Sequence, residues 1–233
     1  MKIYVAAFIS VIGFFAVSGE GTIAQERPEP VLVDEHGRLP CDDLLGRLDL
    51  YFSELSKDPS SVGVAILSST RGDKRLAVFR QHFIEAHARD RGFTSNPIKF
   101  IRTISGDSLS VQLWRVPAGG QEPSVSNVDS TYGLPDTFEP LMFGVEYIYG
   151  DDICPEVEDQ PIFAKFLEGN PASRGNIVVR DRSIERARRK ADRIRYVFRT
   201  KYGITSSRLR FFTRMASRSA LMREPIVEYW YLP

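Results

Sequence analysis

Leu113-Trp114-Arg115-Val116-Pro117 and Tyr229-Trp230-Tyr231-Leu232-Pro233 end on the same pattern, and they hold the only two tryptophans of the 233-residue chain. Working back from each, a charged segment ends at Gly92-Phe93 or at Gly203-Ile204. Before it, Gly63 and Gly175 open apolar stretches, each four residues beyond the proline of Asp58-Pro59 or Asn170-Pro171. Farther back stand Cys41 and Cys154, each four residues after a glycine, Gly37 or Gly150. The paired anchors keep their order at offsets of 111 to 116 residues. Ordered anchors at a near-constant offset predict an internal duplication.

Periodicity predicts the element order within each copy. Val31 to Val33 and Phe143 to Tyr149 read as first strands. Leu44, Leu45, Leu48, Tyr51, Phe52 and Leu55 recur at helical spacing. The matching helix of the second copy is expected to be short, about Pro161 to Glu168, because proline fits a helix start and not an interior. Buried strands follow at Val62 to Leu67 and Asn176 to Val179. Second helices are expected over Asp73 to Arg91 and Ser183 to Tyr202, with Gly92 and Gly203 placed for left-handed C-caps. Two strands finish each copy: Ile98 to Ile104 with Leu109 to Val116, and Leu209 to Thr213 with Ile226 to Leu232. The expected fold is α/β, an α+β sandwich made of two tandem βαβαββ units, each a small sheet with two helices packed on it.

The N-terminus reads as an address. Lys2 precedes an apolar run from Val5 to Val17, and Thr22-Ile23-Ala24 resembles a small-x-small cleavage site. The run is short for a membrane span, which takes about 20 residues; an uncleaved anchor is the alternative. The expected organisation is a signal peptide over 1–24, a first unit over 25–118, an acidic linker over 119–140 rich in Gly, Pro and Ser, and a second unit over 141–233. No transmembrane segment is expected after cleavage. The mature chain is then periplasmic or secreted, in a compartment that oxidises thiols. Cys41 and Cys154 hold equivalent positions and admit two readings, a disulfide between the units or two buried thiols.

Charge is uneven along the chain. From Val116 to Ala164 there are ten acids and no Lys or Arg, whereas Arg174 to Arg223 holds sixteen Lys/Arg against three acids. The basic stretch reads as a solvated helix face, as a contact for an anionic envelope polymer or lipid, or as a dock for the acidic segment of the same chain. Export argues against nucleic acid as a partner. The sequence holds no phosphate-binding Gly-rich loop, no nucleophile elbow and no zinc-protease motif. Of His36, His82 and His87, His36 precedes a turn glycine and stands at metal-ligand spacing to no Cys or acid, and His87 falls where the second copy has Phe198, a partly buried core or rim position. No catalytic residue, metal site or cofactor is predicted.

Arg189-Lys190-Ala191-Asp192-Arg193-Ile194-Arg195-Tyr196-Val197-Phe198, running on to Gly203-Ile204-Thr205-Ser206-Ser207-Arg208, resembles the second helix and following turn of the OmpA-like C-terminal domain, a peptidoglycan-associating family. The βαβαββ order resembles it too, and the first copy looks like a divergent repeat of the same kind. The resemblance implies a site for the diaminopimelate of a peptidoglycan peptide stem. An Asp after the second strand would take the ligand ammonium and an Arg on the next helix its carboxylate. In this chain those positions carry Asp181 and Lys190, with Arg186 and Arg189 one turn away. Lys does not replace Arg at a bidentate site, the intervening loop is shortened, and the first copy has only Ser68-Ser69-Thr70-Arg71 there. The function expected is that of a non-enzymatic envelope binding or scaffold protein with weak or altered peptidoglycan association; the alternative is a periplasmic protein-interaction module that has lost the ligand site.

Overall fold

The computed structural model describes residues 27–106, 108–134, 139–146, 159–222 and 226–233. It is a mixed α/β molecule of two similar units. The first runs β1 (Val31–His36), α1 (Cys41–Ser56), β2 (Val62–Ser69), α2 (Arg75–Asp90), β3 (Ile98–Ile104) and β4 (Ser110–Val116). The second runs β5 (Leu141–Glu146), α3 (Asp159–Gly169), β6 (Arg174–Asp181), α4 (Ile184–Thr200), β7 (Leu209–Met215) and β8 (Val227–Leu232). The sheets have the orders β1-β4-β2-β3 and β5-β8-β6-β7, with β2–β3 and β6–β7 the parallel pairs. Trp114 pairs with Leu32 and Val64, and Trp230 pairs with Met142 and Asn176. The two tryptophans thus hold the same register position in their sheets.

The helices cover one face of each sheet because their apolar residues recur every three or four positions. On α1 the buried set is Leu44, Leu48, Tyr51, Phe52 and Leu55, and on α4 it is Ala187, Ala191, Ile194 and Phe198. Gly63 and Gly175 let these layers approach: an added Cβ would stand 2.5 Å from the Tyr51 hydroxyl in the first unit and 2.5 Å from Phe163 Cζ in the second. Gly92 and Gly203 have φ of 65° and 67°, the left-handed C-cap expected of them. At the α1 and α3 ends one job falls to different residues. The Asn96 amide donates to the carbonyls of Asp58 and Ser61, and the Arg208 guanidinium to those of Leu167, Asn170 and Ser173.

Several boundaries differ from expectation. Strand β1 extends to His36, and α3 begins at Asp159, two residues before Pro161. Between β7 and β8 lies a four-residue helix, Arg218–Leu221, capped by Ser217, which apolar periodicity could not signal at that length. Part of the linker is ordered. Asp129 accepts from the backbone N–H of Thr131 and Gly133. Tyr132 bonds His82 at 2.6 Å and lies 4.5 Å under the Arg102 guanidinium, while the carbonyl of Thr131 accepts from Asn170 of the second unit. Among the described residues no helix is long and apolar enough to cross a membrane.

Candidate ligand-binding site

Strand β6 ends at Asp181, whose carboxylate accepts the Arg182 N–H at 2.6 Å. Helix α4 starts three residues later, at Ile184, with the Ser183 hydroxyl capping Arg186 N–H at 3.2 Å. Because the apolar stripe of α4 is fixed on the sheet, Arg186, Arg189, Lys190 and Arg193 share its flank, one turn apart. With Asp181 and Glu146 they line a concavity of about 520 Å³, floored by Ile194 and Val197. The four residues singled out from the sequence, Asp181, Arg186, Arg189 and Lys190, are therefore brought together.

Two acids that the sequence did not suggest complete the surroundings. Glu146 ends β5, accepts from the Tyr229 hydroxyl and stands 3.6 Å from the Lys190 ammonium. Asp159, on the first turn of α3, accepts the Val145 N–H. Burial raises its carboxyl to about 6; the Val145 N–H opposes that rise and the neighbouring Glu146 charge adds to it. Gly144 makes the room, since a Cβ there would meet the Asp159 carboxyl at 2.9 Å. The only sequence signal for Asp159 was an acid just before Pro161, and for Glu146 an acid within a predicted strand. Neither marks a site, because what joins them to Lys190 is tertiary.

The first unit treats the corresponding positions differently. Ser69, fully buried, takes the place of Asp181. Arg75, Val78, Phe79 and His82 take the places of Arg186, Arg189, Lys190 and Arg193, as the common glycine C-caps fix. This face of α2 is packed onto the second unit. Arg75 donates to the carbonyls of Met142 and Phe143, Phe79 lies 5.7 Å from the Phe143 ring, and Val78 is part of the second unit's core. The helix flank that is basic and open on α4 is a protein joint on α2.

The histidines have ordinary partners. His36 bonds Asp34 at 2.8 Å, and the buried His87 bonds Asp49 at 2.8 Å. Among the described residues no cluster of His, Cys, Asp or Glu could hold a metal. Cys41 opens α1, whereas Cys154 lies outside the described residues, and so does the pairing considered for it. With cations on one wall and carboxylates on two others, the concavity is suited to a small zwitterion or an anion. Compared with known proteins, the chain matches no protein-family model and no curated protein.

Proposed function

We propose that this chain is an exported, non-enzymatic envelope protein whose second unit binds a carboxylate-bearing, zwitterionic envelope ligand of the peptidoglycan stem-peptide type. The observation that carries this reading is the convergence of Asp181 with Arg186, Arg189 and Lys190 on one concavity. A ligand ammonium would meet Asp181, and a ligand carboxylate the guanidinium groups of Arg186 and Arg189. Lys190 already faces Glu146, so the arginines carry the anion side. This supports altered recognition relative to the family it resembles, with the first unit acting as scaffold.

The experiment is co-sedimentation of the mature chain with purified peptidoglycan. Removing one partner of a desolvated charge pair costs ~2–5 kcal/mol. Asp181→Ala and Arg186→Ala are each expected to lower the bound fraction at least about tenfold, since each 1.4 kcal/mol is one decade. Sedimentation unchanged by both substitutions would refute the site. The second reading, a protein-interaction module, is favoured by one observation: the α2 face equivalent to the concavity is already a protein-packing face. Absence of the wild-type chain from the pellet would select it.

A further inference from the structure

The sheet face turned away from the helices is covered by the linker in one unit and, among the described residues, has no such cover in the other. In the first unit Val64 and Ile66 of β2 and Val116 of β4 are buried there, with Ile101, Trp114 and the linker residue Val125 packed on them. Glu122 of the same linker pairs with Lys99 at 2.6 Å. The linker then runs antiparallel along the β3 edge: Ile104 N–H donates to the Asn127 carbonyl at 3.0 Å, and Asp129 N–H to the Arg102 carbonyl at 2.8 Å. An acidic, extended segment thus caps both the back of the sheet and its open edge.

The pairing registers place the second unit's counterparts. Arg210 stands for Lys99, Phe212 for Ile101, Trp230 for Trp114, and Thr213 and Met215 for the edge residues Arg102 and Ile104. Among the described residues no segment covers them. Phe212 is 45% exposed and Met215 72%, and among the described residues strand β7 pairs with β6 alone. Arg210 and Arg214 point to the same face as Phe212, by strand alternation; neither stands within 4.0 Å of a carboxylate among the described residues, though the Arg214 charge acts on nearby Glu228. Asn176, beneath Trp230 in the register, keeps a buried side-chain oxygen without a hydrogen-bond partner.

We propose that the back of the second sheet captures an extended acidic segment of a partner polypeptide, which adds to the β7 edge and seats an apolar side chain between Phe212 and Trp230. Main-chain pairing along an open edge supplies affinity and the side chains supply choice. Arg210 and Arg214 select acidic sequences, as Lys99 selects Glu122 in the covered unit. The proposal does not depend on the α4 concavity, which opens on the helix side of the sheet.

The probe is a synthetic peptide of residues 118–130 of this chain, titrated into the ¹⁵N-labelled mature protein and followed by NMR. Free of its tether, the peptide loses the effective concentration the linker enjoys, so millimolar binding is expected. Shifts should localise to β7 and the Trp230 indole. Arg210→Glu, at an exposed position that leaves the core intact, should weaken binding at least about tenfold, as one lost charge pair implies. Phe212→Asp should abolish it, and Asp181→Ala should leave it unchanged. The proposal is overturned if millimolar peptide shifts nothing on β7, or if the Arg210 and Phe212 variants bind like wild type. It is equally overturned if poly-glutamate produces the same shifts, or if anionic phospholipid vesicles compete for the face and the peptide does not.

Discussion

Asp159 and Gly144 show how one residue pair was rewired between copies. In the first unit the same two places hold Arg47 and Asp34, which form an ion pair that His36 joins. In the second unit the strand residue is glycine and the helix residue is the acid, half-buried and, among the described residues, without an ion-pair partner. A carboxyl held at about 6, above its ordinary 3.8, stays protonated in the folded chain where the unfolded chain has already ionised. Between those values the folded state binds more protons, so its stability falls as pH rises and levels off above about 6. Asp159→Asn keeps an acceptor for the Val145 N–H and removes the buried charge. At pH 7.5 it is expected to raise unfolding stability by about 2 kcal/mol, a gain that shrinks to nothing below about pH 4. Urea midpoints across that range check it; a gain that does not vary with pH would contradict the assignment.

At the level of elements, β6 and α3 are held in contact by Gly175. A methyl there would meet Phe163 Cζ at 2.5 Å and the Trp230 carbonyl at 3.0 Å. Neither neighbour yields easily, one being a packed ring and the other backbone. Gly175→Ala is therefore expected to lower stability by about 1–3 kcal/mol, and adding Phe163→Leu should return part of the loss in the same denaturant titration. The position of this glycine was legible from the sequence, because Gly63 and Gly175 recur at the head of apolar runs. Its reason was not, since Phe163 reaches it across the layers. The same limit applies to the site. Asp181, Arg186, Arg189 and Lys190 were singled out through the family resemblance, and they lie within ten residues on one strand end and one helix flank, so local structure keeps them together. Glu146 and Asp159 come from other elements, where spacing carries no information. The packing of the linker was not legible for a different reason: a stretch rich in Gly, Pro and Ser conceals the individual contributions of Val125, Asp129 and Tyr132.

For the molecule as a whole, Tyr132 is the joint. Its hydroxyl meets His82, its ring lies beneath Arg102, and Gly169 of α3 leaves space for it, an added Cβ there standing 3.2 Å from the Tyr132 Cβ. Each unit has its own tryptophan, so Trp114→Phe and Trp230→Phe chains report the second and first units separately. In the parent these two fluorescence transitions should coincide. Tyr132→Ala, which truncates a half-buried aromatic at a loss of about 2 kcal/mol, should separate them, and transitions that still coincide would show the units coupled by other contacts. One contact in particular has a consequence for how the chain can be divided. Val78 belongs to the first half by sequence and to the second by packing. A gene split anywhere in residues 119–140 would therefore part the two repeats but leave the second without a piece of its own interior. The chain holds two similar units, but the smallest block that carries a complete second core is the pair.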